Sequence, residues 1–397
     1  MTKARQGSER NGADQADVVI CGGGPVGAAL ALALHAGGRS CRILDARPGG
    51  KHDATAFDPR TLALSYGSRL ILERLGVWNS LSVTPISSIH VSQQGSFGRT
   101  VIDAAEEGVP ALGYLIGYSE LDSGLRAALQ GRVELEATAS ASRIEAGPDR
   151  AAVTWTKDGK PQVASALLVA IADGGTSSAD EDARISHDYA QTAIVADVTP
   201  RIPHRNRAWE RFSASGPIAL LPKQRDYAMV WSVNPEDADS LVSASSADFL
   251  AKLDAATAGK TGGFAAVGPR ILFPLSLRYY RKTTGERTVA IGNAAQTLHP
   301  VAGQGFNLGL RDAWALAQAL DGSSDCGSPF VLAAYAASRR IDRIGTIRFT
   351  DLLARVFTVD SAVMRAGRGA ALTWFDLVPP ARRFLARRMI FGASAWP

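Results

Sequence analysis

Cysteine is scarce in this chain. Cys21, Cys41 and Cys326 are the three in 397 residues, an odd number without paired spacing. A disulfide framework and a cysteine-based metal site are therefore excluded, and a reducing compartment fits. The six histidines are scattered, with no His-x-x-x-His helix spacing, so no metal site is expected. No apolar run reaches the roughly 18–20 residues of a membrane-spanning helix. The stretch from Val18 to Ala36, with Lys3, Arg5 and Arg10 ahead of it, has the outline of a signal-peptide core, but Gly22, Gly23, Gly24 and Pro25 interrupt it. Such a break suits a strand, a tight turn and a new helix. Internal repeats and low-complexity tracts are also missing.

What is present is globular: 46% hydrophobic and 20% charged residues, enough core material for one large or two ordinary domains. The net charge of +5 is unevenly placed. Ser338 to Pro397 holds eleven Arg, no Lys and four Asp, a balance of +7, so the preceding 337 residues carry −2. A nucleic-acid footprint would need basic residues across the body, so nucleic acid is not an expected partner. The excess marks a C-terminal segment with its own partner or its own solvated face.

Residues 1–15 read as a polar lead-in. Asp17 to Cys21 is a short β-branched strand, Pro25 to Ala36 an Ala/Leu-rich helix, and Ser40 to Leu44 a second strand, the size of a parallel crossover. Leu62, Leu70, Ile71, Leu72 and Leu75 suggest a helix ended by Gly76, and Ser119 is placed to cap another running to Gly131. Between Ile185 and Arg281 short alternating runs predict an antiparallel sheet, with one helix near Ser246 to Ala256. Strand and helix texture then returns from Thr288. The expected fold is α/β with a discontinuous first domain (16–82, 105–184 and 287–337), an inserted sheet domain (83–104 and 185–286) and a basic helical segment (338–397).

Gly22-x-Gly24-x-x-Gly27 follows a strand and opens a helix, and Asp45 ends the next strand 23 residues after Gly22. The glycines permit a tight turn, close approach to a pyrophosphate and close helix-strand packing; the helix N-terminus faces phosphate, and the carboxylate accepts from ribose hydroxyls. Dinucleotide binding follows, without a choice between FAD and NAD(P). Further on, Leu167 to Ser177 is a buried strand ending in Asp173-Gly174-x-x-Ser177. Val289 to Asp312 is a strand, a Pro/Gly loop and a helix start, in which Gly303, Gly305 and Gly309 let backbone approach a flat ligand.

With these runs, and with Asp58 to Ser65 and Glu210-Arg211-Phe212 followed by Gly216 to Pro222, the chain resembles the group A flavoprotein monooxygenases, the para-hydroxybenzoate hydroxylase-like family. Within it, it is most similar to the ubiquinone-biosynthesis ring hydroxylases, over about Asp17 to Gly392. The resemblance implies a Rossmann-like FAD-binding domain with an inserted antiparallel substrate domain, and FAD as cofactor. Gly22, Gly24 and Gly27 would hold the pyrophosphate, Asp45 the adenosine ribose, and Arg60 the phosphate and ribityl region, with Asp173, Gly174 and Asn293 completing the cofactor contacts. Pro300, Gly303, Gly305, Phe306 and Asn307 would border the isoalloxazine ring. One position departs: the Asp-Gly motif of the family continues Ser-x-x-Arg, and here Asp180 stands where that Arg would be, so a nicotinamide contact there is not carried over.

The implied chemistry is FAD reduction by NAD(P)H, oxygen capture as a C4a-hydroperoxide and transfer of one oxygen atom from O2 to an electron-rich ring, here a polyprenylated phenol. The cofactor supplies the hard step and the protein orients the ring and excludes water. His299 beside Pro300 is either a proton relay or a residue that shapes the loop. Arg211, Phe212, Leu220 and Pro222 either line the substrate chamber or form ordinary sheet core. Two further readings remain open: a soluble aromatic or isoprenoid substrate, and a non-catalytic flavin-binding scaffold. The Arg382 to Phe391 segment is a candidate for docking on an anionic membrane surface or a biosynthetic assembly, which would place the protein in the cytoplasm, peripheral on the inner face of the cytoplasmic membrane.

Overall fold

The computed structural model describes residues 15–48, 60–95, 97–157, 159–176, 183–213, 216–358 and 361–392. The expected lead-in before Gln15, and Asp180 with its acidic neighbours, lie outside the described residues.

The strand Gln15–Cys21 forms the middle of an eight-stranded sheet because its Val18, Val19 and Ile20 are apolar on both faces and fully buried. Cys41–Asp45 pairs parallel on one side of it and Lys160–Ile171 parallel on the other. Glu134–Ala137 and Thr288–Ala290 extend the parallel order outward on the two sides. The chain order therefore reverses on either side of Gln15–Cys21, which opens a crevice at its carboxyl end, the place where such sheets bind ligands. Helix α1 (Pro25–Ala36) buries nine of its twelve residues and crosses between the first two strands.

A nine-stranded sheet follows the order Gln296–Thr297, Ile271–Tyr280, Arg184–Pro200, Asp226–Val233, Gly216–Lys223, Arg207–Ser213, Ser88–Gln93, Arg99–Asp103, with Phe264–Val267 pairing off this path against Arg184–Pro200. Its Gln296–Thr297 edge comes from the segment expected in the first domain. Thr84–Ile86, inside the segment expected in the second, pairs instead with Gly113–Gly117 in a three-stranded sheet that also holds Thr61–Ser65. Two helices cover one face of the nine-stranded sheet with their apolar sides. These are α4 (Pro235–Ser243), which the sequence reading missed, and α5 (Ser246–Thr257).

Two expectations need correction. Leu62 lies in a strand and the following helix α2 is Tyr66–Arg74, capped by Ser65. Helix α3 (Tyr118–Leu129) begins after Gly117, so Ser119 sits in its first turn instead of capping it. Helix α6 (Gln304–Leu320) packs against α1 where Gly309 approaches the 292 turn: a Cβ there would meet Gly292 Cα at 2.9 Å. Three helices complete the chain: α7 (Pro329–Thr358), α8 (Ala362–Leu377) and α9 (Pro379–Phe391). A buried ionic ladder joins α6 to α7, in which Arg339 contacts both Asp312 (2.9 Å) and Asp342 (2.8 Å), and Arg311 contacts Asp342 (2.7 Å).

Candidate cofactor and substrate cleft

A cleft of about 1270 Å³ opens at the carboxyl end of the parallel strands and runs to the nine-stranded sheet. This exceeds the roughly 300–1,000 Å³ of a pocket for one small ligand, leaving room for a dinucleotide beside a second molecule.

One end is the glycine turn. Gly22 has φ +113°, and a Cβ on it would fall 2.4 Å from the Ala172 carbonyl oxygen; a Cβ on Gly27 would fall 2.0 Å from the Gly22 oxygen. These two glycines hold α1 against the sheet. Gly24 differs: it is extended (φ −65°) and a Cβ there would meet nothing nearer than the Tyr118 hydroxyl at 3.9 Å, so it faces the cleft. Among the described residues no side chain caps α1, which leaves its first N–H groups to a ligand anion.

Asp45 lies on the cleft, 3% exposed, in a cluster the sequence did not reveal. Arg47 Nη2 contacts it at 3.0 Å, Arg126 also pairs with it, and both guanidiniums reach the fully buried Asp122. Burial opposes ionisation of Asp45, but the hydrogen bonds and charges of Arg47 and Arg126 outweigh it and hold the carboxyl below its ordinary range. Arg47 Nη2 also donates to the Gly23 carbonyl (2.7 Å), tying the cluster to the glycine turn. Its only sequence signal was an arginine two residues after Asp45. The guanidinium of Arg60 sits 4.1 Å from the Tyr118 ring centroid, beside the cleft wall formed by Tyr118.

Asp173 and Gly174 line the same end, with Asp173 Oδ1 accepting the Gly175 N–H at 2.9 Å. Burial, reinforced by the Asp173 charge, pushes the Cys21 thiol up to about 12, so this cleft cysteine is not a thiolate nucleophile.

The loop from Asn293 to Phe306 forms the far wall. Asn293, His299, Pro300, Gly303, Gly305 and Phe306 all line the cleft. Asn307 does not. Its Oδ1 accepts from the Ser65 N–H (2.8 Å) and the Ser68 hydroxyl (2.7 Å), and its Nδ2 donates to the carbonyls of Ala63 and Gly303 (both 2.8 Å). With every polar atom used internally, Asn307 fastens the start of α6 to the Thr61–Ser65 strand instead of bordering a ligand. Among the described residues no side chain caps α6, so its N-terminal N–H groups open on the cleft.

His299 is 1% exposed, and burial alone lowers it to about 4, so it is neutral at pH 7. Its Nδ1 accepts the Val301 N–H (3.1 Å), which places the proton on Nε2; Nε2 is buried and has no partner among the described residues. The loop-shaping bond and a buried donor with no partner among the described residues coexist on one ring.

Strand alternation divides the expected substrate residues. Leu221 and Val230 line the cleft. Leu220 and Pro222 pair with Met229 and Tyr227 on the opposite face, where Leu220 is core beneath α4 and α5. Arg211 is on that far face too, its Nε donating to the Ala256 carbonyl at the end of α5 (2.8 Å) and its Nη1 to the Ser92 hydroxyl. Neither Arg211, Leu220 nor Pro222 reaches the cleft, because successive side chains on a strand point to opposite faces. Phe212 shares the cleft-side face but packs on Val301 behind the loop. Two residues before it, Glu210 has a buried Oε1 without a partner among the described residues; burial pushes its carboxyl up to about 7, opposed by the Ala302 N–H. Ala302 itself has φ +62° in the turn before α6.

The family model described as an FAD binding domain matches residues 15–345. A ubiquinone hydroxylase (UbiL) of Rhodospirillum rubrum is 33% identical over 384 residues, covering 94% of this chain and 89% of that protein. The 3-demethoxyubiquinol 3-hydroxylase of Escherichia coli is 30% identical over 340 residues, covering 82% of this chain and 86% of that protein. Among solved structures, a p-nitrophenol 4-monooxygenase (PnpA) from Pseudomonas putida has the same fold, with a TM-score of 0.75 at 17% identity and coverage of 96% and 99%.

Proposed function

The chain belongs to the FAD-binding domain family, and on that premise we propose that it is an FAD-dependent monooxygenase hydroxylating an electron-rich aromatic ring, a polyprenylated phenol of ubiquinone biosynthesis, with NAD(P)H and O2 as co-substrates. One observation carries the reading: a single cleft joins a glycine cradle with two uncapped helix ends to an apolar sheet face at Leu221 and Val230. The residues present fit FAD. The turn at Gly22 and Gly24 accommodates a pyrophosphate, the Asp45 cluster a ribose, and the Pro300 to Phe306 wall a flat ring system.

Bound FAD supplies the redox chemistry, passing electrons from the nicotinamide and activating oxygen. The protein's part is placement and exclusion of water. The first N–H groups of α6 would present the positive end of the helix dipole to a carbonyl of a bound flavin ring. His299 offers its Nε2–H as a neutral donor, since burial keeps it from becoming a cation. Leu221 and Val230 give a prenylated ring an apolar surface and keep water from the reacting centre. The identities of the relatives support the substrate class.

No helix among the described residues is long and apolar enough to cross a membrane. A lipid-borne substrate would instead reach the cleft with the protein peripheral on the inner face of the cytoplasmic membrane, held there through the C-terminal segment. The test is direct. Purified protein should carry flavin absorbance, and with NAD(P)H, 18O2 and a prenylated phenol should give a product bearing one labelled oxygen. A colourless preparation that FAD cannot reconstitute would refute the flavin reading; labelled product from a soluble phenol alone would refute the prenylated one.

A further inference from the structure

Helix α8 is built inside out. Its exposed positions Val363, Ala366, Ala370, Trp374 and Leu377 recur every three or four residues and form one stripe, about 20 Å long at helical rise. Val363 is 81%, Trp374 53% and Leu377 74% exposed. The charged residues of α8, Arg365, Arg368 and Asp376, are half-buried, the Asp376 side chain 38% exposed. The polar groups face inward. Arg368 donates to Gln93 (3.3 Å) and to the Val356 carbonyl (2.7 Å), and Asp376 accepts the Val101 N–H (3.4 Å). The Leu372 carbonyl accepts from the Thr100 hydroxyl (2.6 Å) on the same edge strand.

A contiguous apolar face turned to water while the charged side chains are drawn toward the body means that something covers it. The charge around it says what. Of the four Asp after residue 337, Asp342 is locked between Arg311 and Arg339, Asp351 is held by Tyr189 and Arg355, and Asp376 faces the body; Asp360 lies outside the described residues. On α9, directly after the stripe, Phe384 is 72% exposed between Arg383, which is exposed, and Arg387, whose side chain is 48% exposed although it reaches Glu107 at 4.0 Å. Apolar side chains flanked by arginines, with the acids drawn inward, complement the boundary between acyl chains and anionic headgroups.

We infer that the outer face of α8, with Phe384, Arg383 and Arg387 of α9, is the surface by which this protein lies on an anionic lipid bilayer. This deepens the membrane reading proposed above, on which it rests, and it moves the contact from the basic run of α9 to the apolar stripe of α8.

The experiment is flotation of the flavin-loaded full chain with phosphatidylcholine vesicles, with and without phosphatidylglycerol. Wild type should float with the anionic vesicles, and Trp374→Glu/Leu377→Glu should partition at least about tenfold less, with flavin content and thermal midpoint unchanged. Lipids brominated in the acyl chain should quench wild-type fluorescence more than that of Trp374→Phe, which separates contact from misfolding. If wild type floats and the Glu variant floats equally, the face is wrong while the membrane reading survives. If wild type does not float at all, both fall. Self-association that the Glu variant abolishes, without vesicle binding, would make the stripe an interface between copies and overturn the inference.

Discussion

A methyl group at position 27 would sit 2.0 Å from the Gly22 carbonyl oxygen, whereas one at position 24 would meet nothing nearer than the Tyr118 hydroxyl at 3.9 Å. Two glycines of one motif therefore do different work. Gly27→Ala must push α1 off its strand, and apoprotein stability should fall by about 1–3 kcal/mol in denaturant titration. Gly24→Ala should leave apoprotein stability within about 0.5 kcal/mol yet reduce flavin retention after gel filtration, because its methyl occupies the approach to the phosphates. Glu210 and His299 make a second pair. The Glu210 carboxyl is raised from 4.5 to about 7, so its contribution is complete below pH 4.5 and is lost as pH rises toward 7. His299 is lowered from 6.5 to about 4, so its contribution is present above pH 6.5 and is lost as pH falls toward 4. The two slopes oppose each other. Glu210→Gln should gain stability over wild type between pH 4.5 and 7, on the order of 3 kcal/mol across that window, and His299→Gln should gain it between pH 6.5 and 4. A flat difference for either variant would refute the corresponding burial.

Alternation is the lesson at the level of the element. Leu220 and Leu221 are adjacent in sequence and lie on opposite faces of the same strand, one fully buried under α4 and α5 and the other on the cleft. Leu220→Ala should cost about 2–5 kcal/mol of stability through the cavity it leaves. It should leave KM for the aromatic substrate nearly unchanged in the properly folded fraction. Leu221→Ala should do the reverse, raising KM with a smaller loss of stability; equal effects on both would contradict the registered pairing with Ala228 and Met229. The strand itself was legible in its alternating run, but which face meets the cleft was not, since both faces are apolar. Asn307 makes the same point in a helix start. Its place in a Gly-rich run fitted a ligand contact, whereas four internal hydrogen bonds make it the fastening between α6 and the Thr61–Ser65 strand.

Charge is organised over the whole molecule. The four arginines of α9 looked equivalent in sequence, but Arg382 reaches across to Glu106 at 2.7 Å and its side chain is 17% exposed, while Arg387 remains 48% exposed. Arg382→Gln should therefore lower the thermal midpoint with little effect on binding to anionic vesicles. Arg383→Gln/Arg387→Gln should keep the midpoint and weaken vesicle binding by about 2 kcal/mol at low salt, at roughly 1 kcal/mol per charge. Added salt should reduce that difference, because exposed charges are screened within about 10 Å at 0.1 M. If the two variants behave alike in flotation, the division between the body-facing and outward arginines has no consequence for membrane binding.

The sequence alone determined the elements whose signals are local: the strand, turn and helix of the glycine motif, the acid at the end of the next strand, and the alternating runs of the second sheet. Each depends on conformational freedom or on a period of two or 3.6, which neighbouring residues specify without help. Tertiary structure decided whatever depends on pairing distant segments. Packing brought Arg126 to Asp45, buried Glu210 beside Ala302, and turned the charged side of α8 toward the Arg99–Asp103 edge, leaving its apolar side outside. Those outcomes follow from which face of an element finds a partner, and only the assembled chain supplies the partner.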